Sequence, residues 1–142
     1  MDGVTNTPIV ILQNVPGTVV LPVWIGIYEA EAIVLGIERM QRPRPQTHDL
    51  VKNLLFGLNA CLRKVVVTDL KDDTFHAVIW LDHQGELMGV DSRPSDALAL
   101  ALRLDCPIYV EESVFKSATA DSTDEEHVRW LEGLKDYDFG QL

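Results

Sequence analysis

The feature that most constrains the fold is a series of three strand-like runs joined by very short turns. Residues 61–70 ("CLRKVVVTDL"), 74–82 ("TFHAVIWLD") and 86–91 ("ELMGVD") are rich in β-branched and apolar residues. Only "KDD" and "HQG" separate them. Because a parallel connection needs about a dozen residues or more, turns this short join antiparallel neighbours. The pattern therefore predicts three consecutive antiparallel strands.

The residues before this series predict a hairpin and two helices. Residues 8–26 contain two strand-like runs on either side of "NVPG", a turn signal. Apolar residues then recur at helical spacing over 28–40 and again over 48–59. The predicted buried stripe of the second helix consists of Leu50, Leu54, Leu55 and Leu58.

The residues after the series predict a further helix, a strand and a tail. "PSDALALALRL" begins a helix at Pro94, where the missing N–H costs little, and "CPIYVEE" is a short strand. A mobile acidic loop is predicted over 117–124 and a C-terminal helix over 124–140. The fold class is α+β: one domain over 1–142, with its core in 7–118, a mostly antiparallel sheet and helices packed against it.

Composition narrows the class of protein. The chain of 142 residues is 46% hydrophobic and 24% charged, as in ordinary globular domains. No apolar run approaches the roughly 20 residues that cross a bilayer, and the N-terminus lacks a secretory pattern. Cys61 and Cys106 lie in apolar surroundings and are predicted to be buried, reduced thiols. We therefore expect a cytoplasmic protein that does not enter membranes.

The charge is large and unevenly distributed. A net charge of −10 argues against a protein that coats nucleic acid through bulk electrostatics. However, residues 39–64 contain six Lys or Arg residues and one acid, Asp49. This basic segment either faces an anionic ligand or pairs with acids of the same chain.

Two similar stretches carry the candidate chemistry. The first Arg-Pro segment is "RPQTHD" (residues 44–49), and the second is "DSRPSD" (residues 91–96). Helix capping by the Ser, Thr and Asp side chains explains much of both patterns. It does not explain an arginine in each segment, or the histidine at position 48. A helix N-terminus beside an arginine is also a site for anions.

Several acids lie near the ends of predicted elements, where side chains from distant segments can converge. They are Glu29, Glu31, Asp49, Asp91 and Asp96. Paired carboxylates with one histidine commonly hold Mg²⁺ or Mn²⁺ and activate water against a phosphodiester. For each acid taken singly, a solvated surface position is the competing interpretation.

These stretches resemble the bifunctional nuclease (BFN) family, once catalogued as a domain of unknown function. The resemblance runs from about Thr7 to Gly140 and includes "LPVWIGIYEAEAI", "RPQTHDL", "VVVTDLKDDTFHAVIWL", "DSRPSDALALALRLDCPIYV" and "LEGLKDYDFG". It implies a nuclease that acts on DNA and RNA. Members of the family usually carry additional sequence before the "TPIV" segment, so the N-terminus is expected to be either abbreviated or misassigned.

We assign the roles from the chemistry of the residues. Asp49, Asp91 and Asp96 would serve a divalent cation, Mg²⁺ or Mn²⁺, or act as general bases. His48 would transfer protons, because imidazole titrates near neutral pH. Arg44 and Arg93 would hold the substrate phosphate. This hypothesis requires the two Arg-Pro segments to lie side by side across one groove.

Two alternatives compete with catalysis. Each arginine could form a salt bridge to the aspartate of the other segment and lock two helices without any reaction. The domain could also be a non-enzymatic regulatory module that binds an anion or a protein. In either case, strand edges at "TPIVIL" and "CPIYV" predict a homo-oligomer, most simply a homodimer.

Overall fold

The structure, a computed structural model, describes residues 7–121. The strands in this part are β1 (Ile9–Gln13), β2 (Val20–Trp24), β3 (Ala60–Lys71), β4 (Thr74–His83), β5 (Glu86–Ser92) and β6 (Ile108–Val110). The helices are α1 (Ile27–Glu38), α2 (Thr47–Gly57), α3 (Pro94–Leu104) and α4 (Glu112–Asp121). The α+β class predicted from the sequence is confirmed.

The three predicted antiparallel strands form the centre of a four-stranded sheet. Its order is β5-β4-β3-β6, with β3, β4 and β5 antiparallel and β6 parallel to β3. Both connecting turns use left-handed backbone, at Asp72 and Asp73 and at Gln84 and Gly85. Two consecutive residues of this kind match the right-handed twist of adjacent strands. β1 and β2 pair as a separate hairpin, as predicted.

Helix α3 forms the centre of the core. It connects β5 to β6 and therefore crosses one face of the sheet, and its residues 97–101, "ALALA", are all buried. They pack against Val65, Ala77 and Ile79 of the sheet and, through Leu98, against the β1–β2 hairpin. The small alanines allow close approach. Helices α1 and α2 both contact α3.

The predicted buried stripe of α2 is wrong. No residue of α2 is buried, and Leu50, Leu54 and Leu58 are 52%, 56% and 64% exposed. The physical reason is that α3 already covers the sheet. Only Val51 of α2 packs against the central cluster. Leu55 is half-buried.

Three further predictions concern cysteines and the C-terminal part. Both cysteines are free, but Cys61 is exposed and Cys106 is half-buried, so the burial predicted for Cys61 is wrong. Helix α4 extends through residues 117–121, at the start of the predicted loop. The rest of that loop and the helix predicted over 124–140 lie outside the described residues.

No helix within 7–121 has the length and apolar character to cross a membrane.

Candidate functional site

The two Arg-Pro segments meet where the N-termini of α2 and α3 approach each other. The Nε2 atom of His48, in the first turn of α2, lies 2.9 Å from Oδ1 of Asp96, in the first turn of α3. The His48 and Asp96 side chains are 13% and 29% exposed. The predicted proximity of the segments is therefore confirmed through this contact.

Arg93 holds Asp96 from the other side. Its Nε and Nη2 atoms donate to the two Asp96 carboxylate oxygens at 2.9 and 3.0 Å, and Nη1 donates to Oε1 of Glu29 at 2.8 Å. The hydrogen bonds to Asp96, and after them the bond to Glu29, raise the pKa of Arg93 above its ordinary value. A guanidinium carries five N–H donors, so two remain for a ligand among the described contacts. The Arg93 side chain is 60% exposed, so these donors are accessible.

The same bonds fix the charge of Asp96. Burial raises the pKa of this carboxyl group, but hydrogen bonds from Arg93 and His48 outweigh burial and hold the pKa below its ordinary value. Asp96 is therefore ionised at neutral pH and can only accept hydrogen bonds. It follows that Nε2 of His48 carries the hydrogen of this contact. The other ring nitrogen, Nδ1, has no hydrogen-bond partner within residues 7–121.

These residues line a cleft of about 330 Å³ between α1, the first turn of α2 and the start of α3. The lining residues are Tyr28, Glu29, Glu31, Ala32, Leu35, Gln46, Thr47, His48, Arg93 and Asp96. The pKa of Glu29 is lowered by its own backbone N–H and then by Arg93. Glu31 pairs with Arg42 at 3.0 Å. The cleft thus brings three carboxylates together with the Arg93 guanidinium.

The remaining predicted site residues lie apart from this contact. Asp49 is turned to Arg103 of α3, whose Nε donates to Oδ1 at 2.8 Å. Arg44 is exposed in the loop before α2, and its side chain has no partner within the described residues. Asp91 is exposed on the edge strand β5, opposite Val78. The cross-paired lock is therefore wrong, because each described salt bridge of Arg93 goes to Asp96 or Glu29.

The functional importance of Arg103 is hard to predict from sequence. Arg103 is the one charged residue in "ALALALRL" (residues 97–104), and that isolation is the available signal. A lone cation in an apolar helix must find a partner if it is buried, and the Arg103 side chain is only 7% exposed. Half of the cations of the basic segment pair with acids in the described part of the chain. These pairs are Arg39–Asp105, Arg42–Glu31 and Arg63–Asp82.

The described side chains do not fit a divalent metal site as they are arranged. Within residues 7–121, no group of three or more His, Cys, Asp or Glu side chains could hold a metal ion. Of the three cleft carboxylates, Asp96 and Glu29 are bonded to the Arg93 guanidinium, and Glu31 pairs with Arg42. The Mg²⁺ or Mn²⁺ prediction stays a prediction.

Comparison with known proteins points to one family. The bifunctional nuclease domain model matches residues 10–123. The chain is 42% identical over 124 residues to an uncharacterized protein of Mycobacterium tuberculosis, covering 85% of this chain and 74% of that protein. It is 28% identical over 109 residues to bifunctional nuclease 1 of Arabidopsis thaliana, and 23% over 116 residues to bifunctional nuclease 1 of Oryza sativa subsp. japonica. These alignments cover 74% and 80% of this chain, but only 34% and 35% of the respective plant proteins.

Proposed function

This chain belongs to the bifunctional nuclease domain family, and we propose that it hydrolyses phosphodiester bonds in DNA and RNA. The observation that carries the proposal is the contact between His48 and an ionised Asp96, at 2.9 Å, beside the partly exposed Arg93. A histidine held by a carboxylate is an arrangement suited to proton transfer. A guanidinium next to it is suited to a phosphate.

We propose a role for each of these three groups. Asp96 accepts the Nε2 hydrogen and so leaves the Nδ1 lone pair of His48 available. In the proposed reaction, Nδ1 takes a proton from the attacking water, and the water oxygen bonds to phosphorus as the bond from phosphorus to the leaving sugar oxygen breaks. The leaving oxygen takes a proton from solvent, and the imidazolium later releases its proton to solvent. Asp96 stabilises the imidazolium that forms, and Arg93 donates its two remaining N–H groups to the phosphate oxygens. Recognition through phosphate would explain activity on both sugars, since the 2′-hydroxyl and the bases need not be contacted.

The charge of the cleft limits how the substrate binds. Glu29, Glu31 and Asp96 bring three carboxylates to the cleft, and Arg93 and Arg42 offset two of them. A phosphodiester entering here therefore needs further positive charge. Arg44 is a candidate for this charge, because it is exposed and lies two residues before Gln46 of the cleft wall. We keep Arg44 as a proposed phosphate-binding residue on this ground.

Cleavage assays with matched histidine variants test the proposal. We expect the purified protein to cleave both DNA and RNA, and His48→Gln to lose about 100-fold or more in turnover, as loss of a general base does. His83→Gln, at the β4–β5 turn, is the control and should retain wild-type turnover. Equal activity of wild type and His48→Gln would mean that the cleavage comes from elsewhere, including a contaminating nuclease.

Two further assays separate the open chemical alternatives. Cleavage in EDTA decides the predicted use of Mg²⁺ or Mn²⁺, because a metal-dependent reaction stops and an independent one continues. If no nucleic acid is cleaved but nucleotides raise the melting temperature, the chain is a non-enzymatic binding module.

We also propose that the chain forms a homodimer through α2. Leu50, Leu54 and Leu58 recur every fourth residue, lie on one stripe and are each more than half exposed. The chain has a net charge of −10, so two copies repel each other except where a surface is apolar and carries few charges. Helix α2 offers such a surface, and pairing with a second α2 would cover the stripe in both copies.

Light scattering tests this assembly. The expected mass is about twice the 15.9 kDa of one chain. Leu54→Glu should return the mass to that of a monomer. Val15→Glu, which alters an even more exposed apolar residue in the β1–β2 turn, should leave the dimer intact. A monomeric wild type at micromolar concentration, or a dimer that survives Leu54→Glu, would refute the α2 interface.

A further inference from the structure

Arg103 differs from the other arginines that form salt bridges in the described part of the chain. Its side chain is 7% exposed, whereas the side chains of Arg39, Arg42, Arg63 and Arg93 are 67%, 44%, 61% and 60% exposed. A buried guanidinium must find acceptors for its donors to offset the loss of hydration. The acceptors of Arg103 come from three different helices.

These acceptors tie α1, α2 and α3 together at one point. Nε donates to Oδ1 of Asp49 in α2 at 2.8 Å. Nη1 donates to the carbonyl oxygens of Ala32 in α1 and Ala99 in α3, each at 2.9 Å. Gly36 of α1 provides the space, because a Cβ atom there would lie 3.1 Å from Nη1 of Arg103. The contacts with Ala32 and Ala99 therefore hold the guanidinium in the position from which Nε donates to Asp49.

Asp49 transmits this fixed position to the first turn of α2. Its second oxygen, Oδ2, accepts the backbone N–H of Gln46 at 2.9 Å, as part of a capping box at the start of the helix. Burial raises the pKa of Asp49, but the Gln46 N–H and the Arg103 guanidinium outweigh it and the pKa is lowered. His48 lies between Gln46 and Asp49 and is held within the same turn.

Helix α2 has few other means of keeping its position. None of its residues is buried, so apolar packing contributes little to its alignment against α3. Two consecutive residues instead contact two points on α3: His48 contacts Asp96, and Asp49 contacts Arg103. At about 1.5 Å per residue these points lie about 10 Å apart along α3. A shift or rotation of the first turn would break at least one of the contacts.

From these contacts we infer that Arg103 is a positioning residue for the proposed nuclease site. It acts through Asp49 and keeps the imidazole of His48 within hydrogen-bonding distance of Asp96. Arg103 does not line the cleft, and its one bond to a lining residue goes to the backbone carbonyl of Ala32. The inference rests on the proposed function for its catalytic consequence, but the positioning of His48 can be measured without any substrate.

The experiment compares two Arg→Lys variants of the full chain by NMR of the histidine ring protons and by cleavage kinetics. The spectrum of His48→Gln assigns the His48 signal. Lysine keeps the charge at position 103 but cannot donate to three acceptors in a fixed fork. In Arg103→Lys we expect the His48 ring signal to move and kcat to fall by about tenfold or more, as small misplacements of catalytic groups do. Arg39→Lys, in the exposed pair with Asp105, should change neither.

Other outcomes also decide the inference. A folded Arg103→Lys variant whose His48 signal is unchanged overturns it. If Arg103→Lys does not fold, Asp49→Asn tests the same link while keeping an acceptor for the Gln46 N–H. An unchanged His48 signal in that variant likewise overturns the inference. If wild type cleaves no nucleic acid while the His48 signal moves as expected, the proposed function fails and the positioning role of Arg103 stands.

Discussion

The two Arg-Pro segments have similar sequences but are held in place by different means. In the second segment, Arg93 donates to Asp96, three residues further along the chain, and the helix that follows is buried along most of its length. In the first segment, Arg44 makes no such contact in the described structure. The aspartate of the first segment, Asp49, accepts a hydrogen bond from Arg103 instead, and the helix that follows has no buried residue. The second segment thus leads directly into the core through α3, whereas the helix after the first segment is attached to the core mainly by polar contacts.

This difference shows that the Arg-Pro pattern determines where a helix begins, whereas the neighbouring helices determine the ion pairs. In both segments the local pattern begins a helix: Pro94 is the first residue of α3, and a capping box starts α2. The ion pairs, however, depend on which helix lies next to the segment. The same pattern therefore yields one half of the site, Arg93 and Asp96, at the start of a buried helix. The other half, His48, lies on a helix without buried residues.

The largest effect expected from this contrast is on stability. Leu98→Ala in α3, at 1% exposure, should lower the free energy of unfolding by about 2–5 kcal/mol through the cavity it leaves. Leu54→Ala in α2, at 56% exposure, should change it by about 0.5 kcal/mol or less. Urea unfolding at protein concentrations where the chain is monomeric measures both. Equal losses would show that α2 is as much a part of the core as α3.

A smaller effect concerns the charge of Asp96. Asp96→Asn should lower stability at neutral pH by about 1–2 kcal/mol, since it weakens charge-assisted bonds that are partly exposed. The folded pKa of Asp96 is below its ordinary value near 3.8, so the stabilisation is present above that pH. It is lost as the pH falls through the folded pKa. The gap between wild type and Asp96→Asn should therefore close on acidification.

The matched control for this measurement is Asp91→Asn. Asp91 lies in the same segment but is exposed and makes no described ion pair, so this change should leave stability within about 0.5 kcal/mol. A gap between wild type and Asp96→Asn that stays constant down to pH 2 would contradict the ionised Asp96 on which the proposed mechanism depends.

The smallest effect is expected at Arg44. If this exposed arginine binds substrate phosphate, Arg44→Ala should raise KM by about fivefold, or about 1 kcal/mol, and leave the melting temperature unchanged. Arg63→Ala, an exposed arginine of β3 that pairs with Asp82 on the sheet, should leave KM unchanged. Steady-state kinetics at two salt concentrations would show the effect, and an unaltered KM in Arg44→Ala would remove this residue from the site.

Local patterns predicted the elements of this fold well. The two-residue turns at Asp72–Asp73 and Gln84–Gly85 set the pairing of β3, β4 and β5, because such turns leave one antiparallel register open. The apolar stripe of α2 misled the prediction of its burial. Helical spacing shows that a face is apolar but not which surface covers it. In this fold α3, and not α2, covers the sheet.

The site was predictable in its residues more than in its bonds. The proximity of the two segments followed from their matching chemistry, and His48 and Asp96 do meet. The pairing of Asp49 with Arg103 and of Arg93 with Glu29 could not be predicted, because these partners lie 54 and 64 residues away along the chain. Only the packing of α1 and α2 on α3 brings these side chains within reach.

A double-mutant cycle of cleavage tests the central claim, that His48 and Asp96 act as one unit in a nuclease site. We expect His48→Gln and Asp96→Asn each to lower kcat by about 100-fold or more. The double variant should be within about threefold of the poorer single variant, because residues that act as a unit are not additive. If either single variant keeps wild-type turnover, or if the two losses multiply in the double variant, His48 and Asp96 do not form the proposed catalytic pair.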